Sequence, residues 1–151
     1  MLRSFTRAAH PVAAAAFVAC AVVQVFLAGL GVFDDPKAFV THREFGYLFG
    51  WLTLVILVLA LAGRTPRRVT GLSVLLLVLF ALQSVLVALR AELPAIAALH
   101  PLNGFAILGV GVMTARSSWR LGRESTTATA PVTATPEGAG TIPLLNPDEA
   151  R

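Results

Sequence analysis

Two histidines in this chain stand at the head of matching phrases. One reads His42-Arg43-Glu44-Phe45-Gly46 and the other His100-Pro101-Leu102-Asn103-Gly104, each histidine with a glycine four residues on. Each also follows a glutamine, Gln24 upstream of His42 and Gln83 upstream of His100. An imidazole offers a lone pair to a metal or a proton to a ligand, and a glycine one turn away on the same helical face leaves room beside the ring. Such a pair suits axial ligation of one iron from opposite sides, with the flat body of a haem b against Gly46 and Gly104. Arg43 and Arg90 are then the cations for its propionates, and Gln24 and Gln83 would contact the cofactor edge or a quinone carbonyl. The plainer alternative is that the histidines bond to neighbouring helices and the glycines allow close packing, which leaves a scaffold or accessory subunit without a cofactor. No Ser/His/Asp set, carboxylate dyad, phosphate-cradling glycine loop or nucleophile elbow accompanies them, so no catalytic residue is assigned.

The elements that must position these residues belong to a membrane. The chain has 151 residues, is 56% hydrophobic with 13% charged residues, and its mean hydropathy is +0.77, too apolar for a soluble domain of this size. The formal net charge of +4 does not point to nucleic acid. Its cations sit at the ends of apolar blocks instead of forming a stripe with interleaved aromatics. Arginine supplies nearly all of them, Lys37 being the one lysine, a bias that fits a high-GC bacterial source. A lone cysteine, Cys20, lies inside an apolar block, which leaves no intrachain disulfide and reads as a small buried hydrophobe.

Four apolar blocks predict four spans at about residues 11–33, 38–62, 69–89 and 95–115. The basic start before the first block resembles a signal peptide, but the run from Pro11 to Phe33 is long enough to cross a bilayer of about 30 Å, so a retained first span is expected. His10, just before Pro11, reads as an interfacial residue. Asp35 suits a helix N-cap and Pro36 the first helical position. Pro101 removes a backbone donor and places His100 at a turn or kink. Because Gln24 and Gln83, His42 and His100, and Gly46 and Gly104 recur 58 or 59 residues apart, the expected fold is all-α. It is an integral membrane four-helix bundle of two repeated transmembrane hairpins, over residues 1–120, related by an axis along the membrane normal. The positive-inside rule applied to Arg3 and Arg7, to Arg64, Arg67 and Arg68, and to Arg116, Arg120 and Arg123 puts both termini in the cytoplasm of a bacterial plasma membrane, with both histidines near the outer face. Residues 124–151 turn to Thr, Ala, Pro, Gly and acidic types, the composition of a disordered cytoplasmic tail.

The stretch Leu27-Ala28-Gly29-Leu30-Gly31-Val32-Phe33, the His42-Arg43-x-x-Gly46 phrase and the Leu99-His100-Pro101-Leu102-Asn103-Gly104 phrase together resemble a family of small four-span membrane proteins, mostly actinobacterial and of unknown function. That resemblance covers residues 10 to 120. More distantly, a histidine-arginine pair at the head of span two and a histidine at span four are similar to one half of haem A synthase and to other four-helix b-type cytochromes. The similarity implies His42 and His100 as haem ligands. Phe39, Val40 and Thr41 stand where haem A synthase carries an acidic residue, so what the resemblance implies is haem ligation or electron transfer with a redox partner, not oxidative chemistry on the haem.

Overall fold

The structure is a computed structural model that describes residues 2–127, with side chains from Arg3 to Leu121. The described residues form five helices in order: α1 (Leu2–Phe33), α2 (Ala38–Ala62), α3 (Arg67–Ala88), the single turn α4 (Pro94–Ala97) and α5 (His100–Thr127), with no strand among them. Four segments are long and apolar enough to cross a membrane, the fourth being α4 and α5 together. At 1.5 Å per residue the 25 residues of α2 measure about 37 Å, enough for a hydrocarbon core of about 30 Å. Many large apolar side chains face outward, among them Phe26, Phe33, Leu48, Trp51 and Phe105. That is the surface of a protein whose solvent is lipid, since a water-soluble monomer rarely exposes so much contiguous apolar area.

Packing is cyclic. α1 lies against α2 and α5, and α3 lies against α2 and α5, so α1 faces α3 across one diagonal of the bundle and α2 faces α5 across the other. Burial follows the repeat. His10 and Val69, Ala14 and Ser73, and Phe17 and Leu76 are buried in pairs 59 residues apart; Phe49 and Ile107, Ile56 and Thr114, and Ala60 and Ser118 are buried in pairs 58 apart. One set pairs α1 with α3 and the other pairs α2 with α5. The two hairpins therefore present equivalent faces to the bundle axis, as a pseudo-two-fold requires. At mid-height Phe17, Phe49 and Phe80 pack with ring centroids 5.3 to 6.2 Å apart, and the absence of side chains at Gly50 and Gly111 makes room for Phe80 and Phe17. Cys20 is half-buried against this core.

Three boundaries differ from the sequence expectation. α1 begins at Leu2 and runs through Pro11 instead of starting there. The reason is that its first ten residues bury a polar face: the Arg7 guanidinium donates to the carbonyl of Gly63 at 2.9 Å, capping the end of α2, and Thr6 and Arg7 pack on Gly63, where a Cβ would lie 3.3 Å from each. His10 is accordingly 1% exposed, a buried residue and not an interfacial one. α5 continues to Thr127, past residue 124, at which the tail is expected to start, and the rest of that stretch lies outside the described residues. Asp35 does not cap α2 directly. Its carboxylate accepts the Lys37 backbone N–H at 2.9 Å and tightens the turn that leads into the helix at Ala38.

Charge divides the bundle into poles. Arg3, Arg7, Arg64, Arg67, Arg68, Arg116 and Arg120 lie at one end, with no acidic side chain among the described ones there. Asp34, Asp35, Lys37, Arg43, Glu44, Arg90 and Glu92 lie at the other.

Candidate functional site

The balanced pole carries the two histidines. His42 sits in the first turns of α2, and His100 is the first residue of α5, because Pro101 cannot donate a helical bond and α4 ends at Ala97. Their helices are diagonal, and the rings meet across the bundle axis with centroids 6.2 Å apart and planes inclined at 62°. Both rings are half-buried.

Each imidazole is held by the glutamine paired with it in sequence, though by different atoms. His42 Nδ1 lies 3.1 Å from the backbone carbonyl of Gln24. A carbonyl only accepts, so Nδ1 carries the proton and Nε2 keeps its lone pair. At His100 the side-chain amide of Gln83 does the work: its nitrogen lies 3.2 Å from His100 Nε2 and donates to the His100 carbonyl at 3.0 Å. Gln83 is fixed in turn by Asn103, whose amide nitrogen donates to Gln83 Oε1 at 2.6 Å and to the Leu79 carbonyl at 2.9 Å. An amide nitrogen only donates, so His100 Nε2 accepts and Nδ1 bears the hydrogen. That Nδ1 and the Gln24 Oε1 are buried with no hydrogen-bond partner. Buried polar atoms are nearly always paired, and here two unpaired ones, a donor and an acceptor, lie on members of one constellation.

The structure brings six of the eight sequence-named residues together: His42, His100, Gln24, Gln83, Gly46 and Gly104. It fills the glycine notches with protein. A Cβ at Gly46 would lie 2.7 Å from the Gln24 amide nitrogen, and one at Gly104 would lie 3.5 Å from that of Gln83. Arg43 and Arg90 stay outside. Arg43 pairs with its neighbour Glu44 at 2.8 Å, both side chains being more than half exposed, and Arg90 is exposed with a long bond to the Val87 carbonyl.

Residues 24–91 match the model of a family of unknown function, DUF6220. The matched stretch begins at Gln24, takes in His42, Gly46 and Gln83, and ends before His100. No curated protein and no solved structure matches the chain.

A second polar cluster closes the arginine-rich pole. His10 of α1 lies with Nε2 3.2 Å from Ser73 Oγ of α3 and Nδ1 2.9 Å from Ser118 Oγ of α5. Nothing in the sequence marked the two serines, which sit inside apolar helices at ordinary spacing. The one available signal was that Ser73 and Ser118 fall in the inward register set by the repeat.

Proposed function

We propose that this multi-pass protein lies in a bacterial plasma membrane with both termini inside, and that His42 and His100 hold a b-type haem near the outer face for electron transfer to a redox partner or a quinone. The observation that carries the reading is the meeting of two imidazoles from diagonal helices. The ring centroids are 6.2 Å apart, near enough for one metal ion to be reached from both helices. The Gln24 carbonyl on His42 Nδ1 also leaves Nε2 as the free lone pair, the outer-shell arrangement that metal-binding histidines use. The charge asymmetry of the poles supports the orientation.

A bound haem would supply one-electron oxidation and reduction. The chain's own part is to orient and to insulate. Gln24 fixes the tautomer of His42, Gln83 and Asn103 hold His100 at the start of α5, and the Phe17, Phe49 and Phe80 cluster seals the bundle below. Arg43 and Arg90, exposed at the same pole, are the cations for carboxylates at the water layer. For a porphyrin to rest beside Gly46, the Gln24 amide has to turn out of the notch it fills, and for His100 to offer a lone pair to iron the Gln83 amide has to release Nε2.

That amide also favours a second reading, in which the glutamines, histidines and Asn103 are a polar clasp joining the hairpins in a scaffold or accessory subunit. The visible spectrum decides between them. Detergent-purified protein, oxidised and then dithionite-reduced, is expected to show a sharp reduced alpha band that His42→Ala and His100→Ala each abolish. Protein that stays colourless when haem is supplied during expression would overturn haem binding and leave the clasp.

A further inference from the structure

At the arginine-rich pole, a cleft of about 160 Å³ opens on the seam between α3 and α5, lined by Arg68, Met113, Arg116, Ser117 and Arg120. Arg116 and Arg120 are one turn apart on α5 and share a face; Arg68 comes from the first turn of α3, where the helix dipole adds positive potential. Among the side chains described, those of residues 3–121, none of the three guanidinium groups has an acidic partner, and the one ion pair is Arg43 with Glu44 at the opposite pole. Three guanidinium groups and a hydroxyl around one concavity form a donor set for phosphate oxygens.

The repeat shows that this is not a general feature of the scaffold. At the same offsets of 59 for α3 and 58 for α5, the equivalent positions on the α1·α2 seam are Ala9, Val55, Val58, Leu59 and Ala62, all apolar. The second hairpin carries a charged cleft where the first has a hydrocarbon surface. A bare positive-inside signal requires cations at helix ends, and Arg64 in the turn after α2 and Arg67 at the start of α3 already supply it. It does not require three cations converging on one seam.

Depth and wall chemistry select the ligand. Met113, 48% exposed, faces the membrane at the cleft's apolar side, and Trp119, half exposed between Arg116 and Arg120, marks the interfacial level where indole rings gather. A site with guanidinium groups on its water side and a thioether on its lipid side matches a phosphate attached to acyl chains better than a free ion. We propose that Arg68, Arg116 and Arg120 bind the phosphate of an anionic phospholipid headgroup in the leaflet at that pole.

The test uses full-length protein in a neutral detergent, with thermal unfolding followed as short-chain phosphatidylglycerol, phosphatidylcholine or inorganic phosphate is added. Phosphatidylglycerol is expected to raise the midpoint and phosphatidylcholine to leave it in place. The triple variant Arg68→Gln/Arg116→Gln/Arg120→Gln should need about tenfold or more phosphatidylglycerol for the same shift, while Lys37→Gln at the other pole should match the parent. Because loss of charge can alter insertion, Arg116→Lys/Arg120→Lys is measured too. It keeps the charge but loses the planar fork and should bind more weakly than the parent. An unchanged response in the triple variant, or an equal shift with phosphatidylcholine, would overturn the site. An equal shift with inorganic phosphate alone would overturn the lipid assignment.

Discussion

The amide nitrogen of Gln24 occupies the notch left by Gly46, 2.7 Å from where a Cβ would stand, whereas Gln83 keeps its amide 3.5 Å from the equivalent point at Gly104. The two copies are alike in sequence and unlike in fit. Alanine is favoured over glycine in a helix by roughly 1 kcal/mol, and 3.5 Å is ordinary contact, so Gly104→Ala should stabilise the bundle by about 0.5–1 kcal/mol. Gly46→Ala drives the Gln24 amide out of its place and should fall short of that gain by about 1 kcal/mol. In a Gln24→Ala background the two glycine substitutions should become equivalent. Reversible unfolding of the four variants in detergent measures this, and a difference that survives in the Gln24→Ala background would show that the notch is not what separates them.

The glutamines themselves should differ in the same direction. Gln83 donates to His100 and accepts from Asn103, so Gln83→Leu strands a buried donor on Asn103 and an acceptor on His100. Each stranded group costs about 1–3 kcal/mol. Gln24 leaves its own Oε1 unpaired, and its bond to His42 comes from the backbone. Gln24→Leu keeps that bond and should cost under about 1 kcal/mol. Equal losses for the two variants would mean that Gln24 has a partner comparable to that of Gln83.

How much of this was legible in the sequence follows from what repeats. The four apolar blocks and the Gln-His-Gly phrase repeated 58 or 59 residues on were enough for the bundle and its two hairpins, and they put His42 and His100 at one level, because symmetry carries equivalent residues to the same level on diagonal helices. Three things were not legible. Pro11 in sequence reads as a helix start, and only the tertiary contacts of Thr6, Arg7 and His10 keep the preceding residues helical. Gly46 reads as open space, and only packing shows Gln24 in it. Ser73 and Ser118 carry no local signal, since a serine bonded back to its own helix looks like any small residue in an apolar run.

His10 and its two serines pose a counting problem with a measurable answer. Ser73 Oγ lies 2.9 Å from the Val69 carbonyl and Ser118 Oγ 2.7 Å from that of Thr114, yet each hydroxyl has one proton. A neutral imidazole donates once, so one serine must turn its proton from its own helix to the ring. Ser73→Ala or Ser118→Ala alone leaves the ring its donor bond and strands only a lone pair, at a cost of about 1 kcal/mol. With both removed the ring N–H is stranded too, so the double variant should lose more than the sum of the singles by about 0.5–1 kcal/mol. Strict additivity in the cycle would mean that the serines do not act through one ring.

Arg64 is the one described non-glycine residue with positive φ, at 47°. It follows α2 at the place where helices commonly turn left-handed, and the Thr65 N–H reaching back to the Ala60 carbonyl at 3.0 Å completes that closing pattern. A side chain there costs about 1–2 kcal/mol that glycine avoids, offset in part by the greater freedom glycine has when unfolded. Arg64→Gly should therefore raise stability by about 0.5–1 kcal/mol. The Arg7 bonds accept at the backbone carbonyls of Gly63 and Arg64 and survive the change. Arg64→Ala is the control, since it removes the same charge while keeping the Cβ in the left-handed region. It should gain nothing, and a gain equal to that of the glycine variant would place the effect in charge repulsion among the arginines instead of in the backbone.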